Sequence, residues 1–148
     1  MKLEGTALLP GTRQQVWEFL TDPNRLVKAL PGAEKLEPDG PDRYKVSVKF
    51  GIAAITGKYA GAVALTDQQP PDSLRMKVEG KGTPGFMKGD GRLQLMQKGG
   101  ETEVHYAGEA QVGGLIASVG QRMIEAAAKK IVQQFFESAA AQLRSTPH

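Results

Sequence analysis

The 148-residue sequence contains no cysteine. That absence excludes disulfides, thiolate-held metals and thiol nucleophiles together. Histidine is nearly absent too, with only His105 and His148. His105 lies between Val104 and Tyr106 on an alternating segment, which places it on the solvated side of a strand, and His148 ends the sequence. Neither has a companion at metal-ligand spacing, and a serine or cysteine nucleophile system is left without an inward base. Long apolar runs are missing as well. The opening MKLEGTALLP is too short in apolar residues for a signal peptide, and no stretch approaches the roughly 20 residues of a membrane span. The expectation is a chain that is soluble or rests on a membrane surface. An excess of one charge is also lacking: 19 basic against 16 acidic residues leave a net +3. The basic residues are scattered and not interleaved with stacking aromatics, which argues against a nucleic-acid partner. A mild attraction to anionic headgroups stays open, at about 1 kcal/mol for each basic residue near such a surface.

What is present is globular. Apolar residues make up 40% and charged residues 24%, and the length suits one domain with a real core. The expected domain is 1–143, followed by a tail at 144–148. Glycine, at 18, is over-used.

Residues 2–9 alternate as a strand, with Leu3, Gly5, Ala7 and Leu9 on one face. Thr12 can cap a short helix through Trp17, Phe19 and Leu20. Asp22 can cap a second, with Pro23 at its first position. A short strand at 33–38 follows, then alternating segments at 43–50, 58–65, 73–80, 86–96 and 103–112. Everything after Gly113-Gly114 reads as one long helix. This is an α+β layout: a seven-stranded antiparallel sheet wrapped around the C-terminal helix, with one dry and one wet face.

In an up-and-down antiparallel run, successive turns fall at opposite ends of the sheet. PDGPD (38–42), QQPPD (68–72) and QKGGE (97–101) share one end and are polar. The other end gathers LPGA (30–33), FGIAAITG (50–57), GKGTPGFMKG (80–89) and QVGGLIASVG (111–120). These are rich in glycine and proline yet carry Leu30, Ile52, Ile55, Phe86, Met87, Leu115 and Ile116. Such a cluster either plugs the core or forms an apolar contact patch around a mouth. The inward faces are thin: Gly5, Ala7, Gly61, Gly80, Gly89, Gly91, Gly108 and Ala110 should all meet the helix. Its first half, with Gly120, Ala126 and Ala127, is equally thin. Small residues there either bend the sheet or leave a cavity, and the two are compatible.

Candidates for that cavity are Tyr59, Gly61, Met76, Met87, Gly89, Tyr106, Ile116, Gly120, Met123 and Ala127. Leu30, Ile52, Ile55, Phe86 and Leu115 are the candidate rim. Tyr59, Tyr106 and Tyr44 could each fix one polar end of an apolar ligand, or serve as core tyrosines bonded to backbone. No catalytic residue and no metal ligand is assigned. The acids fall in caps, turns or outward strand positions; an inward Asp90, Arg92 or Glu109 would instead favour an enzyme. GKGTPGFMKGDG resembles a phosphate loop but lacks the following helix with Lys-Ser/Thr.

The segments DPNRLVKALPGAEKLE, GKYAGAVALTDQQPPDSLRMKVEGKGTPGFMKGDGRLQL and YAGEAQVGGLIASVGQRMIEAAAKKIVQQFF together resemble the carbon monoxide dehydrogenase G-subunit (CoxG) family. That family belongs to the START-like, polyketide cyclase-like (SRPBCC) superfamily, whose architecture is the helix-grip fold. The resemblance implies a non-catalytic accessory protein of a molybdenum hydroxylase of the carbon monoxide dehydrogenase type. It further implies a hydrophobic cavity for a quinone (menaquinone or ubiquinone) or lipid-like ligand, and a reversible, peripheral position at the inner face of the cytoplasmic membrane. An enzyme of the cyclase or hydrolase type and a ligand-free assembly factor are the alternatives.

Overall fold

The computed structural model describes residues 1–51 and 56–145. Strand β1 (Lys2–Pro10) leads into helices α1 (Arg13–Thr21) and α2 (Pro23–Ala29). Strands β2 (Ala33–Pro38), β3 (Arg43–Phe50), β4 (Gly57–Gln69), β5 (Ser73–Gly82), β6 (Gly85–Lys98) and β7 (Glu101–Gly113) follow. A 3-10 helix (Leu115–Val119) and helix α3 (Gln121–Ser145) close the chain. The strands form one antiparallel sheet in the order β1-β7-β6-β5-β4-β3-β2, curved around α3 as the helix-grip layout requires.

Local chemistry accounts for the two small helices. Thr12 and Gln15 form a reciprocal capping box at the start of α1, with Gln15 N–H donating to Thr12 Oγ1 and Thr12 N–H to Gln15 Oε1. Asp22 then stops α1 and starts α2, its Oδ1 accepting from Asn24 N–H at 3.0 Å, while Pro23 takes the first helical position. In the strands the alternation sets the face. Tyr59, Val63 and Leu65 of β4 are buried, while Lys58 and Ala60 beside them are exposed.

Two expectations need correction. The stretch 80–89 is mostly strand, because β5 and β6 pair as far as Gly82 opposite Gly85 and leave only Thr83 and Pro84 as the turn. The long helix is also shorter at its start than the sequence suggests. Gly120 has φ +100°, a left-handed conformation that ends the 3-10 segment, and α3 begins only at Gln121. At its other end α3 runs on to Ser145.

The core is concentrated toward the polar-turn end. Leu9, Phe19, Leu20, Leu74, Val104 and Leu143 are sealed there between sheet, small helices and the second half of α3. Thr102 is the one buried polar residue among those described; its hydroxyl donates to Gly11 O at 2.9 Å and ties β7 to the turn before α1. A smaller cluster of Phe50, Tyr59, Ile116, Ile124 and Ala127 closes the other end.

A two-lobed apolar cavity between sheet and helix

Between the two clusters the layers do not meet. A cavity of about 240 Å³ is walled by β3 and β4 (Val46, Val48, Phe50, Tyr59, Gly61), by β5 to β7 (Gly80, Met87, Val112) and by α3 (Ile124, Ala127, Ile131). A second lobe of about 210 Å³ lies beside it under Met76, Gly91, Leu93, Tyr106, Phe135 and Phe136. The lobes share Leu3, Leu30, Val78, Gly89, Ile131 and Val132 in their walls. Both surfaces are almost entirely apolar. The space opens outward: Val78 faces in yet keeps 37% exposure.

The glycines that thin the sheet divide into two groups. A Cβ on Gly61 would lie 1.7 Å from Glu79 O, and one on Gly108 2.4 Å from Asp90 O. Those two permit the close strand approach that curves the sheet. Gly91 and Gly80 differ: a Cβ on either would meet nothing nearer than 3.5 Å, an ordinary contact. There the missing side chain is simply unfilled space. Gly5 has a third use, since Tyr106 lies across it, with Oη 2.6 Å from where a Cβ would stand. The other face of Tyr106 stacks on Phe136 at 5.2 Å, so one ring is clamped between β1 and α3.

Of the candidate cavity residues, the structure brings Tyr59, Gly61, Met87, Gly89 and Ala127 around the first lobe, and Met76 and Tyr106, with Gly89 again, around the second. Ile116, Gly120 and Met123 line neither. Ile116 is 3% exposed and packs on Phe50, Tyr59, Ile124 and Ala127, so it closes the end of the cavity from behind. Gly120 precedes α3, with nothing within 4 Å of a would-be Cβ, and Met123 is half exposed. The helix face that looks inward runs through Ile124, Ala127, Ala128, Ile131 and Phe135; Met123 is one step, about 100°, off that stripe. Ala126 is likewise exposed. Of the rim candidates, Leu30 lines both lobes, Leu115 and Phe86 are exposed, and Ile52 and Ile55 lie outside the described residues. Tyr44 is half-buried away from both lobes.

Sequence reasoning passed over Leu3, Phe50, Val78, Ile124, Ile131 and Val132 as cavity walls. The signal was available. Strand parity turns the first three inward, and extending the Ile131–Phe135 stripe back by one and then two turns reaches Ala127 and Ile124.

The polar chemistry lies elsewhere. Burial pushes the Tyr59 hydroxyl above its ordinary range, so it stays a neutral donor at the cavity wall. Asp90, Arg92 and Glu109 border the second lobe, but strand parity turns their side chains to the outer face. There Arg75 holds the Asp90 carboxylate in two hydrogen bonds of 2.6 and 2.7 Å. Hydrogen bonding to Arg75, reinforced by the guanidinium charge, keeps Asp90 below the usual carboxylate range. His105 is also on the outer face, 2.5 Å from Glu103. An apolar wall that includes Tyr59 and Tyr106 can hold a ligand; among the described residues it presents no inward acid–base pair.

Residues 5–144 match the family described as CoxG, the G subunit of carbon monoxide dehydrogenase. None of the curated proteins compared matches the chain. Among solved structures, a conserved protein from Geobacillus kaustophilus is 36% identical with a TM-score of 0.95, over 100% of this chain and 98% of that one. A START superfamily protein from Mycobacterium smegmatis has a TM-score of 0.76 at 10% identity, over 97% of each chain. The Zhui aromatase/cyclase from Streptomyces sp. R1128 has a TM-score of 0.68 at 14% identity, over 97% of this chain and 93% of that one. The last two share the fold.

Proposed function

The chain belongs to the carbon monoxide dehydrogenase G-subunit (CoxG) family, within the START-like superfamily, and from that premise we propose that it is a non-catalytic carrier. Its ligand is a quinone such as menaquinone or ubiquinone, or a lipid of similar character. Its partner is a molybdenum hydroxylase of the carbon monoxide dehydrogenase type, which it docks reversibly at the inner face of the cytoplasmic membrane. No helix among the described residues is long and apolar enough to cross a membrane; the exposed side chains of Leu115 and Phe86 are the contacts we assign to attachment.

The observation that carries the reading is the unfilled, apolar space opposite Gly80 and Gly91. A ligand-free assembly factor would need Gly61 and Gly108 to bend its sheet. It would have no use for glycines that leave a hole. A cyclase would need polar groups inside, and the acids of β6 and β7 face out.

Organic-solvent extraction of the purified protein followed by mass spectrometry tests the carrier reading. An isoprenoid quinone or lipid at near one per chain is expected, and Gly91→Leu, which places a side chain in the second lobe, should lower that occupancy at least severalfold. A cavity that stays empty after incubation with quinone-loaded micelles would sink the proposal.

A further inference from the structure

The turn charges are sorted by end. At the end away from the cavity, the turns and the strand ends beside them carry Asp39, Asp42, Asp67, Asp72 and Glu101 against Lys98. Arginines partner three of these acids: Arg43 pairs with Asp39, Arg75 with Asp67 and Arg13 with Asp72. At the cavity end the strand and helix ends beside the connections carry Lys58, Lys81, Lys88 and Arg122, with Glu34 of β2 the carboxylate that follows the segment 30–33.

On the outer face of the sheet this imbalance becomes a specific contact. Lys49 of β3 stands directly opposite Lys58 of β4. Lys81 of β5 is opposite Ala60, which makes it the diagonal neighbour of Lys58. Like charges directly opposed destabilise a sheet. Among the described residues no carboxylate lies within ion-pair distance of any of the three. Glu79, on the same face, is opposite Lys88 and 3.6 Å from Arg43. Large apolar side chains crowd the same end: Leu115 is 72% exposed, with Met123, Val119 and Phe86 also open, and Phe86 is directly opposite Lys81.

We infer that this end is a docking surface for an anionic lipid bilayer, with Lys49, Lys58 and Lys81 set against the headgroups and Leu115 and Val119 entering the interface. The inference rests on the membrane attachment proposed above and adds its headgroup chemistry and its orientation, cavity end down. A bilayer complements both features at once, since anionic headgroups overlie hydrocarbon. An acidic protein face would complement only the lysines.

Vesicle co-sedimentation of the full chain tests it, comparing phosphatidylcholine alone with phosphatidylcholine containing phosphatidylglycerol. Binding is expected only with the anionic lipid and should fall as salt rises from about 0.1 to about 1 M, where the screening length drops from about 10 to about 3 Å. Changing Lys49, Lys58 and Lys81 together to Gln should weaken it roughly 100-fold. The triple variant should melt no lower than wild type, because it loses a like-charge contact, so lost binding is not lost folding. Lys98→Gln, at the opposite end, should bind as wild type. Equal binding to neutral vesicles, or an unaltered triple variant, would overturn the inference. So would a triple variant that keeps vesicle binding but no longer associates with the dehydrogenase, which would identify an acidic protein face instead. Ubiquinone loading of the triple variant from detergent micelles should match wild type, which separates failure to dock from failure to carry.

Discussion

The two halves of the sheet–helix layer share the same strands and the same helix, yet one is packed solid and the other is hollow. At the polar-turn end, Leu9, Leu74, Val104 and Leu143 interlock with α1 and α2 and are themselves almost fully buried. At the cavity end the small helices are absent, Gly80 and Gly91 face Ala127 and Ile131, and the layers stand apart. The contrast shows that a hole is made less by any one small residue than by small residues meeting across two elements. Proteins close such gaps where they can, because an unfilled interior forfeits dispersion contacts. Stability is carried by one half, which leaves the other free to hold something.

The sharpest way to break this comparison is through the glycines. Gly61→Val should prevent folding, since its Cβ would meet the Glu79 carbonyl oxygen, whereas Gly91→Ala should change stability by less than about 1 kcal/mol. Thermal melts of the two would refute the assignment if they suffered alike. Next come the side chains. Leu143→Ala in the packed half should cost about 3 kcal/mol in urea unfolding, and Ile131→Ala at the cavity wall about half that, because its surroundings are already incomplete. Equal costs would mean the cavity is closed in solution. Thr12→Ala removes the capping box of α1 and should cost about 1 kcal/mol, with no effect on ligand occupancy. The smallest effect belongs to Asp90→Asn on the outer face. Asp90 has a depressed folded-state pKa, so its contribution is present above the unfolded value of about 4 and is lost as pH falls through the lower folded value. The melting difference from wild type should therefore be slight at neutral pH and vanish in acid; a difference that grew in acid would contradict the pairing with Arg75.

Much of this architecture was legible residue by residue. Thr12, Asp22 and Pro23 announce their helices through capping chemistry, and the parity of Tyr59, Gly61, Val63 and Leu65 announces a dry face. The sorting of polar and apolar turns to opposite ends follows from strand count alone. Less legible was the start of the last helix. Helical periodicity runs smoothly back through Gly120, and only the backbone conformation reveals the break that takes Ile116 out of α3 and leaves it behind the wall. The glycines were ambiguous for a similar reason. Gly61 and Gly91 have the same parity in their strands, and whether a Cβ would meet a carbonyl or empty space depends on how closely the neighbouring strand approaches.

By itself, then, the sequence determined the order of elements, the face each strand turns inward and the end at which apolar turns collect, since these depend on local sterics and on a side-chain period of two. The tertiary structure alone decided which small residues bend the sheet and which leave a cavity. It also decided where the 3-10 segment gives way to α3 and which lysines stand opposed on the outer side of the sheet. Those are distances between segments far apart in the chain, and no local pattern encodes them.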